Sequence, residues 1–384
     1  MTILNLSDSF HPLFGGKSVT RRALLKELAL KHRVISISLH RQAQDLKQDG
    51  IEIHNLAWPQ TGGLSDRLKI HQHLMAGVFL KAGIGKALSG VSPDLVFTDG
   101  FLGWLGVWLA RQRGAKAVFF NHDFDGLCPD RAHYRDPLGC GQDCFFCTRR
   151  TEVRLTYPLA AFYRRRYIKA VNEADLVVSN SRYTGEVVKR FTGRVSEISY
   201  PMIGLDCPGN NGDELREAAI FVRPVRAKGA KLVLDLAARL SEQSFVVVGG
   251  SDDPLLERLK ALPNVEWMER CQDMPRLYRR ARAVLVPSLL PETFGRVAAE
   301  AMACGAVPLV SDRGALKETV GPAGIVLDPA DLPAWEAALR RLSSDQGYRQ
   351  GLSALGRQQA RNYEGQSTMA GFRQTVRCRL GLEI

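Results

Sequence analysis

Two glutamates, Glu292 and Glu300, stand eight positions apart in a segment that runs from a predicted strand into a predicted helix. The strand covers Ala283–Val286, the loop after it carries Glu292, and the helix covers Phe294–Ala303 before Gly305 stops it. The first N–H groups of such a helix and the positive end of its dipole suit a diphosphate. Because carboxylates repel a diphosphate, we expect both glutamates to accept hydrogen bonds from hydroxyl groups, such as those of sugars and riboses.

Four of the eight cysteines lie close together in the sequence, within a loop at residues 124–147 that is rich in proline and glycine. They are Cys128, Cys140, Cys144 and Cys147. Four thiolates suit a tetrahedral Zn²⁺ ion, and an iron–sulfur cluster is a second interpretation. Reduced thiols or a disulfide pair are the third, because only Cys144 and Cys147 have the close spacing typical of a metal site. We predict a structural metal here, at about one equivalent of zinc or iron per chain.

The chain that positions these residues alternates short apolar strands with helical segments. In the first half the predicted strands are Ile3–Leu6, Val34–Ser38, Leu95–Thr98, Ala117–Asn121 and Leu176–Ser179. The predicted helices between them are Ser18–Leu30, Leu68–Leu88 and Val153–Ala174. Alternation of this kind favours a parallel sheet with helices on both faces.

The pattern starts again after a segment rich in proline, glycine and asparagine at residues 200–213, which is the best candidate for a linker. Strands are then predicted at Ala219–Val222, Phe245–Val248, Val265–Met268, Ala283–Val286, Val307–Val310 and Gly324–Leu327, with helices at Gly229–Leu240, Met274–Arg280 and Phe294–Ala303. We therefore predict an α/β fold of two doubly wound domains that face each other. Ligands of such sheets bind at the carboxyl ends of the strands, so the expected site is the cleft between the domains.

Several segments, each in its expected strand or loop, resemble those of the family 4 retaining glycosyltransferases of the GT-B fold, whose signature is a pair of glutamates in the pattern E-x7-E. The similar segments are Gly15-Gly16, Asn121-His122-Asp123, Ala174–Ser181, Phe221–Gly229, Pro287–Gly305 and Asp312–Val320. They extend over most of the chain. Their order, rather than any one of them, makes the resemblance specific.

The resemblance implies an enzyme that transfers a sugar from a nucleotide sugar, such as a UDP- or GDP-sugar, with retention of the anomeric configuration. It implies two Rossmann-like domains, an acceptor-side domain at residues 1–200 and a nucleotide-sugar-binding domain at residues 201–362. Residues 363–384 are expected to cross back to the first domain, as in the family. The expected acceptor is a glycan, a lipid-linked intermediate or a small molecule, and catalysis is expected to need no cofactor.

The resemblance also assigns donor-binding residues by position. Glu300 would bind the ribose of the nucleotide, and Glu292 would bind hydroxyl groups of the donor sugar. The backbone N–H groups of Thr293, Phe294 and Gly295 would hold the sugar and the phosphate.

Lys228, together with Arg223 or Arg226, would neutralise the charge that the diphosphate gains as it leaves, in place of a catalytic metal. The choice between the two arginines stays open. Gly15-Gly16 would approach the diphosphate, and His122 would act in catalysis, facing the donor sugar and the acceptor. A structural interpretation also stays open for each: Gly15-Gly16 as a turn before a helix, and His122 as a core histidine.

The charge of the chain is uneven. Its formal net charge is +12, and the first 200 residues hold 28 basic and 18 acidic residues. A basic half favours an anionic partner. Basic and aromatic residues mix around the predicted helix at 153–174: Arg149, Arg150, Arg154, Arg164, Arg165, Arg166 and Lys169, with Tyr157, Phe162, Tyr163 and Tyr167. Two interpretations stay open: contact with an anionic membrane surface, and a helix with a buried aromatic face and a solvated basic face.

The composition, with 45% hydrophobic and 24% charged residues, is that of a globular protein and excludes a disordered chain. Two other functions stay open: a nucleic-acid-binding protein that uses the cysteine cluster and the basic half, and a GT-B epimerase that acts on the nucleotide sugar alone. The longest apolar stretches, such as Phe101–Ala110, are too short to span a bilayer, and we expect the first residues to form a strand rather than a signal peptide. We expect a cytoplasmic protein, with peripheral attachment to the inner face of the membrane as an open alternative.

Overall fold

The computed structural model divides into two compact units. One contains Met1–Met202 together with Met369–Ile384, and the other contains Ile203–Thr368. The structure describes residues 1–8, 10, 15–40, 42–57, 80, 83–124, 126–128, 140, 144–147, 151–155, 157–204, 207 and 217–384. It describes the backbone alone at residues 101, 144, 152 and 153.

The first unit is built on an eight-stranded sheet. Its strands are β1 (Thr2–Leu6), β2 (Arg33–His40), β3 (Gln44–Gln48), β4 (Ile51–Ala57), β5 (Leu95–Asp99), β6 (Lys116–Asn121), β7 (Leu176–Ser179) and β8 (Glu197–Ile198). They lie in the order β3-β4-β2-β1-β5-β6-β7-β8. All neighbours are parallel except β3 and β4, which pair antiparallel at one edge. The chain order therefore reverses between β1 and β5.

Helices cover both faces of this sheet. Those described in the first part of the chain are α1 (Gly15–Ala29), α2 (Gly103–Arg113), α3 (Cys144–Cys147), α4 (Thr151–Leu155), α5 (Tyr157–Glu173) and α6 (Arg182–Thr192). Leu4 and Leu6 of β1 join one apolar cluster with α2, α5 and α6, whereas Ile3 joins a second cluster with α1. Successive strand residues thus serve opposite cores, as expected for a sheet that is buried on both faces.

The second unit contains a six-stranded sheet in which all strands are parallel. Its strands are β9 (Ala218–Val222), β10 (Ser244–Val248), β11 (Val265–Met268), β12 (Ala281–Val286), β13 (Val307–Ser311) and β14 (Ile325–Leu327), in the order β11-β10-β9-β12-β13-β14. Its helices are α7 (Ala230–Arg239), α8 (Pro254–Lys260), α9 (Met274–Arg280), α10 (Arg296–Ala303), α11 (Leu316–Val320), α12 (Leu332–Ser344) and α13 (Gln346–Ala360), whereas most of the last helix of the chain, α14 (Gly365–Leu380), belongs to the first unit. This is the strand order of a dinucleotide-binding sheet, with its reversal between β9 and β12.

The final helix, α14, completes the core of the first unit. Met369, Phe372 and Val376 are buried in the cluster that contains Ile3 and α1. The ring of Phe372 lies 5.9 Å from that of Phe97, in edge-to-face contact. A helix near the carboxyl end of the chain therefore forms part of the hydrophobic core of the first unit.

Several elements differ from the sequence predictions. The antiparallel pair β3–β4 was not predicted, because β3 is polar and mostly exposed. The helix predicted to begin at Phe294 begins at Arg296. The helix predicted at Val153–Ala174 corresponds to α4 and α5, and the one residue between them, 156, lies outside the described residues. Of the helix predicted at Leu68–Leu88, most lies outside the described residues. The second unit also contains a disulfide that the sequence did not predict, between Cys207 and Cys304, whose Cα atoms are 5.4 Å apart.

Candidate functional site

The candidate site of the second unit lies where β9 and β12 end side by side. Phe221 of β9 is paired in register with Leu285 of β12, so both strands reach the same edge. A reversal of strand order leaves space for a ligand at the carboxyl ends of the strands. The segments that follow the two strands, beginning at Arg223 and Pro287, are the segments in which the sequence placed donor-binding residues.

Glu292 is brought together with Lys228 at this edge. The Lys228 ammonium and the Ser288 hydroxyl both donate to the same carboxylate oxygen, Oε1 of Glu292. The Glu292 side chain is 17% exposed, so the carboxylate remains accessible. A cation that suits a phosphate and a carboxylate that suits hydroxyl groups therefore share one location. Ser288 is a site residue that sequence analysis missed, although it lies within the segment Pro287–Gly305.

The backbone fixes the position of Glu292. Its carbonyl oxygen accepts a 2.8 Å hydrogen bond from the N–H of Ala315, and Glu292 forms a parallel bridge with Gly314. Gly314 has φ +68°, and a Cβ atom there would lie 2.3 Å from the carbonyl oxygen of Glu292. Only glycine fits this position, which explains why the segment after β13 belongs to the site.

Lys228 reaches Glu292 because its turn packs closely on the β12 loop. It ends a short 3₁₀ turn, Arg226–Lys228, and is followed by Gly229 at φ +86°. A Cβ atom on Gly229 would lie 2.2 Å from the carbonyl oxygen of Pro287. This close approach holds the turn against the loop that carries Glu292.

The two arginines that sequence analysis left as alternatives have different surroundings. Arg226 is exposed, its Nε lies 3.9 Å from the Asp253 carboxylate, and its backbone N–H donates to the same carboxylate. Arg223 directly follows β9 in a left-handed conformation, φ +65°, and its side chain is exposed. A non-glycine residue in this region of φ is uncommon and is often found at functional sites.

Glu300 is held by two side chains that sequence analysis missed, Tyr278 and Arg296. The Tyr278 hydroxyl donates to Oε2 over 3.1 Å, and Arg296 donates from Nε to Oε1 over 3.0 Å. Tyr278 is 1% exposed. Burial, and then the neighbouring Glu300 carboxylate, raise the pKa of Tyr278 well above its ordinary value, so the hydroxyl stays a donor. These contacts fix the orientation of the Glu300 carboxylate.

The turn from Thr293 to Gly295 precedes α10 rather than forming its first residues. Gly295 has φ +95°, which no helical residue adopts, and for this reason the helix begins two positions later than predicted. The Phe294 ring is buried edge-to-face against Tyr363, and its carbonyl oxygen accepts a hydrogen bond from Thr319. The backbone of the predicted sugar and phosphate site is thereby anchored from both sides.

The first unit has a second polar cluster at the carboxyl ends of β1, β5 and β6. Asp99 ends β5 and is 1% exposed. Its Oδ1 accepts from the Ser7 hydroxyl, and its Oδ2 accepts from Nη2 of Arg21, both over 2.9 Å. Nη2 of Arg21 also lies 3.3 Å from Nε2 of His122, which directly follows β6. The predicted catalytic histidine thus belongs to a buried network.

Lys17 links this network to two further carboxylates. Its Nζ lies 2.6 Å from Asp8, 3.2 Å from Asp99 and 3.9 Å from Asp123. With Arg21, the cluster contains two cations and three carboxylates, and it carries one net negative charge. Burial opposes the charge of Lys17, but these carboxylates outweigh it and raise the pKa of Lys17 well above its usual range.

The pKa values of Asp99 and His122 follow from this arrangement. Burial acts to raise the pKa of Asp99, but Lys17 and Arg21 outweigh it and hold the pKa at about 2. Burial, and then the charge of Arg21, lower the pKa of His122 to about 3, although Asp99 opposes the change. At neutral pH His122 is therefore an uncharged imidazole beside an ionised aspartate.

Sequence patterns contained a signal for some of these missed residues. Arg21 has the spacing of the apolar face of α1, with Leu24, Leu25 and Leu28, and all four are buried. Asp99 directly follows a predicted strand. Gly15, at φ +75°, and Gly16 are exposed residues at the start of the same helix, directly before Lys17 of the cluster.

The predicted cysteine site lies partly outside the described residues. Cys128, Cys140 and Cys147 lie among the described residues, and the side chain of Cys144 is not described. Among the described residues, no group of three or more His, Cys, Asp or Glu side chains is placed to hold a metal ion. The described thiols alone therefore do not form a metal site, and the four-cysteine site stays a prediction.

The basic and aromatic cluster is divided between core and surface. Tyr167 of α5 is buried, and its hydroxyl donates to Asn121 over 2.9 Å. Arg165, Arg166 and Lys169 lie exposed on the same helix, while Arg149 and Arg150 lie outside the described residues. No helix in the described part of the chain is long and apolar enough to cross a bilayer.

Two family models match this chain one after the other. "Glycosyl transferase 4-like domain" matches residues 15–198, and "Glycosyl transferases group 1" matches residues 214–345. Together they account for most of both units. The strand orders, the site segments and these matches define a glycosyltransferase of the GT-B fold.

Within that class, the match of residues 15–198 to a 4-like domain supports the family 4 type expected from the sequence. The chain is 29% identical over 244 residues to D-inositol 3-phosphate glycosyltransferase of Salinispora tropica, an alignment of 52% of this chain and 50% of that protein. The chain spans about half the length of the curated relatives it matches.

Solved structures share the fold over almost the whole chain. Sucrose-phosphate synthase from Thermosynechococcus elongatus aligns with a TM-score of 0.76 at 20% identity, over 99% of this chain and 100% of that one. Anabaena Alr3699/HepE, solved in complex with UDP-glucose, aligns with a TM-score of 0.73 at 16% identity, over 98% and 100%. The GT-B fold expected from the sequence is confirmed.

Proposed function

We propose that the protein transfers a glycosyl group from a nucleoside diphosphate sugar to an acceptor hydroxyl group, with retention of the anomeric configuration. The observation that carries the proposal is the pairing of Lys228 with Glu292 where β9 and β12 end. When the donor binds, Lys228 exchanges this carboxylate for the diphosphate, and Glu292 then accepts hydrogen bonds from the sugar. Lys228 and Glu292 thus pair with each other at the place where the donor is proposed to bind.

The nucleotide is assigned to the second unit. Glu300, oriented by Tyr278 and Arg296, accepts hydrogen bonds from the ribose. The backbone N–H groups of residues 293–295, at the positive end of α10, hold the sugar and the phosphate.

The reaction breaks the bond between the anomeric carbon and the diphosphate oxygen. The acceptor oxygen bonds to that carbon on the same face, and its proton passes to the departing phosphate oxygen. Lys228 offsets the charge that develops on the leaving group. We assign the second cation to Arg223, because Arg226 is engaged by Asp253. These two cations make the reaction independent of a metal ion.

The acceptor side is assigned to the first unit. Its cluster carries net negative charge and a neutral His122, which suits a transition state with positive charge on the sugar ring. Gly15-Gly16, at the start of α1, is proposed to approach the diphosphate, and a Cβ atom added at Gly15 would meet no atom within 4 Å. The acceptor is a glycan, a lipid-linked intermediate or a small polyol; the Salinispora relative is named for an inositol phosphate acceptor.

The donor is proposed to be a UDP-sugar, since the Anabaena neighbour was solved with UDP-glucose, and a GDP-sugar is the alternative. Calorimetry with UDP, GDP and a mixed oligonucleotide tests this choice. We expect UDP to bind and the oligonucleotide not to bind. Binding of the oligonucleotide alone would instead favour a nucleic-acid-binding protein.

Turnover of UDP-sugars, with and without added acceptors, tests the reaction itself. We expect transfer that depends on an acceptor, persists in EDTA and gives a product with the anomeric configuration of the donor, measured by NMR. Epimerisation of the donor without an acceptor would support the epimerase, and inversion would contradict the assigned mechanism.

We further propose that the first unit docks on an anionic membrane surface. Phe146 and Leu155 are 80% and 78% exposed, which is unusual for large apolar side chains. Exposed cations follow on α5, where Arg166 lies 4.9 Å from the Phe162 ring. Apolar side chains that insert between headgroups and cations that bind them are the features of an interfacial surface.

Co-sedimentation with vesicles tests the docking proposal. We expect binding to phosphatidylglycerol vesicles at low salt, weaker binding at high salt, and loss of binding in a Phe146→Ser/Leu155→Ser variant. The control is Leu30→Ser, which removes a side chain that is 74% exposed elsewhere in the unit. No sedimentation at low salt, or equal loss in the control, would contradict the proposal.

A further inference from the structure

We infer that Arg21 is a positioning residue for His122: its buried guanidinium holds the imidazole as the neutral tautomer that carries its proton on Nδ1. This inference rests on the proposed function only in the role given to His122. The position of the proton follows from the contacts alone.

The hydrogen-bonding groups leave one assignment of the proton. A guanidinium has N–H donors and no acceptor, so in the 3.3 Å contact Nη2 of Arg21 donates and Nε2 of His122 accepts. A nitrogen that accepts a hydrogen bond carries no proton, and the proton of the neutral ring is therefore on Nδ1. A doubly protonated ring would place an N–H group against an N–H group.

Arg21 cannot easily leave this position. It is 1% exposed, and Asp99 binds its Nη2 over 2.9 Å. Its guanidinium carbon lies 3.8 Å from the centre of the Phe120 ring, which stacks in turn on the His122 ring at an interplanar angle of 7°. The arginine, the phenylalanine and the histidine thus form one packed stack with a carboxylate at its side.

The charges that surround His122 explain why an arginine is needed. Asp99 alone would favour a charged imidazolium, because an opposite charge nearby stabilises the protonated form. Arg21 takes up the Oδ2 atom of that carboxylate, while Ser7 and Lys17 contact Oδ1. Lys17 also contacts Asp8 and Asp123, the other carboxylates of the cluster. The imidazole therefore stays neutral beside three acidic groups.

Neutrality has a direct consequence for the proposed reaction. Positive charge builds on the sugar ring as the diphosphate leaves. An imidazolium close to that ring would repel this charge, whereas a neutral imidazole with an N–H donor does not. Arg21 thus keeps the site competent as the pH falls, without contacting the substrate.

NMR of protein with ¹⁵N-labelled histidine tests the inference directly, with His122→Gln to assign the signal among the eight histidines. In the wild type we expect a neutral ring, protonated at Nδ1, that does not titrate between pH 8 and 5. A proton on Nε2, or titration near the ordinary histidine value, would overturn the inference. This measurement needs no variant at Arg21 to fold.

The Arg21→Met variant supplies the functional readout. We expect His122 of this variant to titrate between pH 8 and 5, as a histidine of ordinary pKa does. Its transfer rate should then fall about tenfold between pH 7.5 and 5.5, because the neutral fraction of the imidazole falls by that factor. The control is Arg22→Met, which removes the next cation on α1, paired with Asp49, and should leave the His122 spectrum unchanged. An unchanged spectrum in Arg21→Met would refute the role of Arg21. A spectrum as expected in a protein that transfers no sugar would refute the proposed function alone.

Discussion

Replacing Glu292 by glutamine should separate nucleotide binding from sugar transfer. The substitution keeps the shape of the side chain and removes its charge. Oε1 of Glu292 accepts hydrogen bonds from both Lys228 and Ser288. UDP competes with Glu292 for Lys228, but the donor sugar needs the carboxylate. The two measurements should therefore change in opposite directions.

The structure sets the size of each change. Lys228 and Glu292 are 32% and 17% exposed, and an ion pair so open to solvent contributes about 0.5–1 kcal/mol. Release of Lys228 should tighten UDP binding by about two- to fivefold. Charge-assisted hydrogen bonds from the sugar contribute about 1.5–3 kcal/mol, so transfer should fall by about 10- to 150-fold.

Calorimetry with UDP and initial rates with the complete donor measure these effects. Glu257→Gln, an exposed carboxylate on α8, is the matched control and should change neither value. UDP binding weakened tenfold or more in Glu292→Gln would mean that the carboxylate contacts the nucleotide itself. Transfer at the wild-type rate would mean that Glu292 does not orient the sugar. Either result refutes the role given to this residue.

Four further predictions follow from the described contacts and the sequence. Glu300→Ala should weaken UDP binding by about 10- to 100-fold in calorimetry, since it removes charged hydrogen bonds to the ribose; unchanged binding would contradict that role. Gly314→Ala should displace the Glu292 loop and lower transfer while UDP still binds, because a Cβ atom would lie 2.3 Å from a carbonyl oxygen. The free energy of unfolding in urea should fall by about 1.4 kcal/mol from pH 7.5 to 5.5, because the pKa of His122 is about 3 in the folded protein and near 6.5 in the unfolded chain. The His122→Gln variant should lack this contribution to the pH dependence of stability. Metal analysis of protein prepared without chelator should find about one equivalent of zinc or iron, and a metal-free protein would remove the cysteine site.

The sequence predicted most of the second unit because its signals are local. Each strand of that sheet is a short apolar run, and the β9 and β12 segments contain the motif residues in their own loops. The pairing of Lys228 with Glu292 could not be read in the same way. It depends on the close contact of Gly229 with the Pro287 carbonyl, two segments that are far apart in the chain.

The first unit was predicted less completely, for physical reasons. The β3–β4 pair is polar at its outer strand, so no hydrophobic pattern marks it. Arg21 has the spacing of a buried helical face, but an arginine at such a position is normally expected to reach solvent. Its burial depends on Asp99, which arrives from a different strand. Sequence patterns show which face a residue lies on, but they do not show the partner that neutralises it.

The position of Met369, Phe372 and Val376 in the first core has a consequence for synthesis on the ribosome. Met1–Met202 emerges first, yet one wall of its core is made only after all of Ile203–Thr368 has been translated. At about 5–20 residues per second, this delay is roughly 10–30 s. During that time an apolar face of the sheet in the nascent amino-terminal half stays uncovered. The second unit, by contrast, is one continuous segment of the chain and needs no later residues to complete its core. The first core can therefore be completed only after the second unit has been translated, and chaperones that shield the early half should increase the yield of native protein.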